Sequence, residues 1–446
     1  MTMPPRAAQG RGRSAGLLHT LRVRVRLRTR LRHAAQAWRH RFPRRLPRWS
    51  AELPLPATPT TEVVTASDGV VLVTPAAASP RGRRRHGPPL PLAELVLPEG
   101  DEQWQVRRSG DGVTVVAGRV GAALDARQSE VLAQLAAVTW AGAASAPPER
   151  LARVLVPLAM TGVVLHASQP PPGVAAELAE VIAAPLPARD ADAMEWELRS
   201  VRQRRLAIRE HAAGLARTRP PTVSALLVTK RPQLVAHAVA VLAGQTYPEL
   251  EIVVGVHGSP APSGLSAGDR PLRIIEVPAS QVLGEALAAA TGAATGELVT
   301  KVDDDDRYGP EHIWDLVLAR HYSNATVVGK GAEFVYLEPD EMTVRRRMAA
   351  EAETDTVAGG TIALTRAELA ASGGWPAVPH SVDRALLDQI IAGGGSVYRT
   401  HPLGFIYTRH GAGHTWDPGL EYFKRDPLRT WPGLPAYAEF GTGPAR

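Results

Sequence analysis

The sequence contains no cysteine, which excludes disulfides, cysteine–zinc sites and thiol nucleophiles. Lysine is nearly missing too. It stands only at 230, 301, 330 and 424, so 47 of the 51 basic residues are arginine. With abundant Ala, Gly and Pro, that bias resembles the codon usage of a GC-rich genome, and much of the arginine needs no functional reason. No apolar run reaches the roughly 18 residues of a membrane-spanning helix. No apolar segment follows the basic start, so a secretory signal is not expected either. The expected location is the cytoplasm. Acidic residues are absent from residues 1–50, which hold fourteen Arg and no Lys. The chain's formal charge is +7, so the remaining 396 residues, at 7 minus 14, carry −7. A basic arm on an acidic body does not license a nucleic-acid-binding reading of the whole chain.

At roughly 100–200 residues per domain, 446 residues suggest two or three domains. Residues 1–92 read as a disordered arm and linker. In the stretch Leu21–Arg32 every second residue is arginine, and the positions between are apolar except Thr29, but a strand needs partners and adjacent like charges repel. Ten prolines follow in 43–92, with a short hairpin expected at 62–74. Residues 93–213 read as a small mixed α+β accessory domain, loosely winged-helix-like. It would have a strand at 112–118, a helix from Asp125, and a second helix at 148–159 interrupted by Pro157. A charged helix from Glu195 to Leu215 would lead onward.

From Pro220 the texture changes. Short apolar runs at 223–228, 251–256, 273–277 and 297–302 alternate with helical stretches at 232–242 and 284–294. That alternation predicts an α/β domain with a largely parallel sheet. Asp303-Asp304-Asp305-Asp306 follows the fourth run directly, and Pro310 stands where the next helix should begin. The acids would lie at the carboxyl end of a strand, where open α/β sheets bind ligands. In extended backbone, Asp303 and Asp305 would share one side and Asp304 and Asp306 the other. Four adjacent carboxylates repel unless something positive sits among them. Mg²⁺ or Mn²⁺, which also takes substrate phosphates, is a natural partner. An acidic turn capping the next helix is the plainer alternative.

Residues 221–416 resemble an inverting family 2 glycosyltransferase with the GT-A (Rossmann-like) fold. Val223-Ser-Ala-Leu-Leu-Val-Thr229 is similar to that family's first strand and nucleotide-contacting loop. Gln245-Thr-Tyr-Pro-Glu-Leu-Glu-Ile-Val-Val254 resembles its second helix end and strand. Gly292-Ala-Ala-Thr-Gly-Glu-Leu-Val-Thr-Lys-Val-Asp-Asp-Asp-Asp306 resembles the stretch that carries the family's DxD motif, which falls on Asp303-Asp304-Asp305. Residues 417–446 would be a C-terminal extension.

The resemblance implies a donor and its contacts. A nucleoside-diphosphate sugar would meet Thr229, Lys230, Arg231, His257, Asp303 and Asp304. A divalent metal would be held by Asp303 and Asp305, and by His410 or His414 from the Gly-rich loop at 407–416. Such a metal stabilises charge on the leaving diphosphate. Asp383, in the first turn of a helix after Gly373-Gly-Trp-Pro376, would be the general base. Without the resemblance it reads as a first-turn acid favoured by the helix dipole. Trp375 would stack on the acceptor or belong to the core. One departure stands out: the family's second strand usually ends in "DDGS", and here it ends Val256-His257-Gly258-Ser259. The missing acid leaves the nucleotide open.

The implied activity is metal-dependent transfer to a glycan, lipid-linked or protein acceptor in cell-envelope or surface glycan synthesis. Residues 1–50 would provide peripheral attachment at the inner face of the membrane. A nucleotidyltransferase is disfavoured, because Thr229-Lys-Arg-Pro232 poorly matches a Gly- and basic-rich phosphate loop. The alternative from another class is a non-catalytic protein that binds nucleic acid or anionic membrane through its arm, with nucleic acid the less expected partner.

Overall fold

The structure, a computed structural model, describes residues 147–188, 191–215, 220–378, 380–411 and 418–442, together with six strands before residue 147. Residues 1–50, the helix expected from Asp125, and His414 lie outside the described residues.

Strands β1 (Val63–Thr65) and β2 (Val71–Val73) pair antiparallel, which forms the short hairpin expected there. Strands β3 (Leu92–Val96), β4 (Gln105–Ser109), β5 (Gly112–Val116), β6 (Ala137–Trp140) and β7 (Val164–Ala167) form one sheet in the order β4-β5-β3-β6-β7. Only β4 and β5 are antiparallel. Parallel neighbours require crossover connections, so this sheet differs from the winged-helix-like arrangement the helix–helix–strand order suggested. The Pro148–Met160 helix also runs through Pro157 instead of stopping there. The amide that Pro157 lacks would have served the carbonyl of Arg153. Arg153 is exposed, so water can serve it instead.

The second half begins with β8 (Val223–Thr229), β9 (Leu250–His257), β10 (Leu272–Val277) and β11 (Leu298–Val302). There follow β12 (Arg307–Tyr308), β13 (Val327–Gly329), β14 (Phe334–Leu337), β15 (Met342–Arg345), β16 (Ala352–Thr354), β17 (Ala363–Thr365), β18 (Val397–Arg399), β19 (Phe405–Arg409) and β20 (Arg429–Pro432). An eight-stranded sheet runs β10-β9-β8-β11-β17-β13-β18-β16, and a five-stranded sheet runs β12-β19-β14-β15-β20. Strands β8 to β11 are mutually parallel, and β17 is antiparallel to both neighbours.

Side chains alternate across this sheet. Ala225, Leu227, Ile252 and Val254 face the helices Pro232–Ala243 and His312–Ser323, meeting Val235, Val239, Ile313 and Val317. Leu226, Val253 and Val299 face the opposite layer, meeting Leu287 and Ala290 of helix Leu283–Ala293 and Leu386 and Ile390 of helix Val382–Ala392. Both faces are covered, which is why the strands read as apolar runs rather than alternating ones. After β8 the chain moves outward to β9 and β10, then returns to place β11 on the other side of β8. The carboxyl ends of β8 and β11 therefore lie side by side at the point where strand order reverses.

The charged helix Ala193–Leu215 does more than lead into this domain, because it is bound to it by buried ion pairs. Arg205 lies 2.7 Å from Asp315, Arg204 lies 3.1 Å from Glu351, and Arg345 lies 2.8 Å from Glu197. Asp315 also meets Lys330 at 2.9 Å and His401 at 3.2 Å. Burial alone would raise the Asp315 carboxyl, but Arg205, His401 and Lys330 hold it well below the usual carboxylate range. An acid depressed in the folded state stabilises the fold above its unfolded pKa of about 4, and the contribution is lost as pH falls through the folded value. Replacing Arg205→Ala should therefore cost about 3–5 kcal/mol at pH 7, the usual range for breaking a buried pair. Urea unfolding should show that loss shrinking as the pH is lowered below about 4.

Candidate active site

The register of β8 against β11 pairs Leu227 with Val302. Two residues beyond each partner stand Thr229 and Asp304, and the Thr229 hydroxyl donates to the Asp304 carboxylate. Arg231 closes the same corner. Its Nε donates to Asp304 Oδ2 at 3.0 Å, its Nη2 donates to Asp304 Oδ1, and Nη2 also lies 2.7 Å from Asp305 Oδ2. Asp304 and Asp305 thus share one guanidinium, and the alternation expected of extended backbone does not hold. The strand ends at Val302 and residues 304–306 form a bend, so the period of two stops where the carboxylates start.

Asp303 has a different partner. Lys301, only 4% exposed on β11, puts Nζ 2.6 Å from Asp303 Oδ1 and 3.4 Å from Asp383 Oδ2. One buried ammonium therefore joins the first acid of the cluster to the acid of the Val382–Ala392 helix. Burial alone would lower the Lys301 pKa, but Asp303 and Asp383 hold it above its ordinary value. Burial pushes Asp383 up, against the pull of Lys301. Asp383 Oδ1 is buried and has no hydrogen-bond partner.

The 3-10 turn Gly359–Thr361 forms the wall between these acids. A Cβ on Gly359 would stand 1.9 Å from Asp383 Oδ2, and one on Gly360 would stand 2.7 Å from Tyr308 Oη and 2.9 Å from Asp303 Oδ2. Only residues without a side chain allow this approach. Tyr308 Oη accepts from the Asp303 amide at 2.8 Å and donates to the Gly360 carbonyl at 2.9 Å, which fixes the turn against the cluster. The fourth acid, Asp306, is buried and accepts the Thr408 amide at 2.9 Å. Burial, then Asp303 and Asp305, push its pKa well up.

His410 follows β19 and brings Nε2 to 3.3 Å from Asp305 Oδ2, while its Nδ1 lies 2.6 Å from Glu338. Two other expected contacts are absent. Trp375 is only 6% exposed, packs in the core with Leu287 and Val382, and donates its indole N–H to Thr291 at 2.9 Å, so its ring does not face the site. His257 is buried with Nε2 2.9 Å from the Gln281 carbonyl. It ties β9 to the loop before helix Leu283–Ala293 and has no edge turned outward for a base. Lys230 is exposed beside Arg231. Sequence reasoning missed Lys301, Tyr308, Gly359, Gly360 and Glu338. The rarity of lysine was a usable signal for the first: two of the chain's four lysines, 301 and 330, are buried in ion pairs.

Among the described residues, no group of three or more His, Asp or Glu side chains is placed to hold a metal by itself. Asp305 and His410 do converge, however. A carboxylate and an imidazole suit a hard or borderline divalent cation whose other positions go to phosphate oxygens and water. The donor set therefore fits a cation shared with a substrate and not an all-protein cage.

The family model described as Glycosyl transferase family 2 matches residues 227–373. The matched span contains the Asp303–Asp306 cluster and the Gly359-Gly360 turn. The fold class is the α/β, GT-A class expected from the sequence. No curated protein matches the chain. Among solved structures it is similar to the mannosyltransferase PcManGT from Pyrobaculum calidifontis, in complex with GDP-Man and Mn²⁺. There the identity is 20% and the TM-score 0.36, over 44% of this chain and 59% of that one. It is also similar to S. aureus TarS 1–349 in complex with UDP-GlcNAc, at 16% identity and TM-score 0.36, over 44% of this chain and 60% of that one. The chain thus spans about 60% of the length of these structures.

The wall residue offers a direct test. Gly359→Ala should leave the thermal melting temperature within a few degrees of wild type, since the added Cβ would meet only the Asp383 side chain, which can shift. Glycosyl transfer should fall by about a hundredfold or more, the usual cost of shifting a reacting group by an ångström.

Proposed function

We propose that the chain is an inverting glycosyltransferase that moves a sugar from a nucleoside diphosphate to an acceptor hydroxyl. The observation that carries this reading is the joining of Asp303 and Asp383 through one buried ammonium, with Asp383 Oδ1 left unpartnered. Donor-side and acceptor-side carboxylates are thereby held at a set separation. Asp383 Oδ1 takes the proton of the acceptor hydroxyl as that oxygen attacks the anomeric carbon, and the sugar–phosphate bond breaks on the opposite face. Lys301 keeps the Asp383 side chain oriented while the proton is transferred. Arg231 and Lys230 lie where the diphosphate would meet the carboxyl ends of β8 and β11.

Asp305 and His410 would hold Mn²⁺ or Mg²⁺, with Asp303 on the ribose or the same cation. The cation, when bound, supplies Lewis-acid stabilisation of the departing diphosphate. With His257 turned inward, the nucleotide and the sugar are properties of the surrounding loops. A cell-envelope or surface glycan is the acceptor class that best suits a basic arm of fourteen arginines next to an enzyme body. Such an arm is suited to anionic lipid at the cytoplasmic face of a membrane. Among the described residues no helix is long and apolar enough to cross one.

Replacing Asp383→Asn should lower transfer by about 10²–10⁴, the usual contribution of a general base. Donor affinity measured by calorimetry should change by less than about threefold, since the substitution keeps the shape of the side chain and Lys301, though it loses the Asp383 charge, keeps its closer contact with Asp303. Equal loss of donor binding and transfer would sink the base assignment. For the arm, the full chain should float with vesicles containing phosphatidylserine at low salt and be released at high salt. A chain lacking residues 1–50 should not float at either salt concentration, while its transfer to a soluble acceptor is retained.

A further inference from the structure

Arg231 and His410 face the same oxygen. Arg231 Nη2 lies 2.7 Å from Asp305 Oδ2, and His410 Nε2 lies 3.3 Å from that atom. A cation held between Asp305 and His410 would need an Asp305 oxygen at roughly 2.0–2.6 Å, and the oxygen that faces His410 is the one the guanidinium already holds at 2.7 Å. Two positive groups cannot share one carboxylate oxygen at such separations without strong repulsion. The side chains differ in freedom as well. Asp304 and Asp305 are 5% and 15% exposed, whereas Arg231 is 40% exposed and reaches over them from the solvent side. Asp304 also keeps the Thr229 hydroxyl as a second partner, so it is not left bare if Arg231 leaves. The backbone of Arg231 is pinned independently, its amide donating to Thr229 Oγ1 at 2.8 Å. The guanidinium can therefore move while its Cα stays in place. A diphosphate presents two anionic groups, and a guanidinium binds phosphate oxygens in a bidentate fork at least as well as it binds carboxylate.

We propose that Arg231 and the divalent cation are alternative partners of Asp305 Oδ2. The diphosphate of the donor, by drawing Arg231 onto itself, opens that oxygen to the cation. Arg231 is then a positioning residue that makes cation uptake depend on the donor. This rests on the reading of Asp305 and His410 as cation ligands.

The test is Mn²⁺ binding to the full chain, followed by the electron paramagnetic resonance signal of free Mn²⁺, with no turnover required. Mn²⁺ is titrated alone, with UDP and with GDP. Wild type should bind Mn²⁺ weakly alone and at least tenfold more tightly with one of the diphosphates. The Arg231→Met variant should bind Mn²⁺ alone at least tenfold more tightly than wild type, and should gain less from the diphosphate. Arg231→Lys, which keeps the charge but not the fork, should fall between them. It also provides the same comparison if Arg231→Met does not fold by circular dichroism. If the Arg231 variants bind Mn²⁺ alone no better than wild type, while every protein gains from the diphosphate, the competition is refuted and the cation site stands. If wild type and the variants take up no Mn²⁺ even with UDP or GDP, the cation site is refuted and the competition with it. Asp305→Asn separates these cases, because it should abolish Mn²⁺ uptake under every condition.

Discussion

Four carboxylates in a row at the end of a buried strand repel one another, and the site is built around the cations that answer that repulsion. Lys301 stands between Asp303 and Asp383, and Arg231 stands over Asp304 and Asp305. The fourth acid, Asp306, accepts the Thr408 amide, and burial with its acidic neighbours Asp303 and Asp305 pushes its pKa well up, against the pull of Lys301. The cluster therefore comprises three kinds of carboxylate: one that shares Lys301 with Asp383, two under the Arg231 guanidinium, and one whose pKa burial pushes up. The assignment of roles follows from this division more than from the motif.

The same principle extends away from the site. The helix Ala193–Leu215 has the composition of a solvated connector, yet Glu197, Arg204 and Arg205 are buried against charges of the α/β domain. Lys330, whose ammonium is bonded to Asp315 and to the carbonyls of His401 and Leu403, also donates its backbone amide to the Thr361 hydroxyl. Thr361 ends the turn that holds Gly359 and Gly360 against the acids. The wall of the site thus rests on a buried ionic network that includes a helix lying outside residues 227–373.

Much of the second half was legible from residue order. The runs at 223–228, 251–256 and 297–302 are strands because their apolar content suits burial on both faces, the run at 273–277 is the more exposed edge strand, and the acids lie at a strand end as expected. Asp383 in a first helical turn was also readable from position, whereas a histidine near Asp305 came only from the resemblance, which left His410 and His414 open. What misled were residues whose character is ambiguous until packed. Trp375 read equally as a stacking platform or as core, and the Thr291 hydroxyl and Leu287 decide for core. His257 stands in place of a family acid, but its ring turns to the Gln281 carbonyl. Pro157 looked like a break, and its missing amide falls on an exposed carbonyl.

By itself the sequence determined the alternation of strand and helix, the concentration of charge in the first fifty residues, and the family match over residues 227–373. These are properties of local pattern, and hydrophobic period and motif spacing suffice for them. Only the tertiary structure decided which cation answers which carboxylate. Lys301 and Asp383 are 82 positions apart in the chain, and Arg231 and Asp305 are 74 apart. Their pairing depends on β8 and β11 ending side by side and on a glycine turn thin enough to let Asp383 approach. Contacts of that range are set by strand register and packing, neither of which any local pattern encodes.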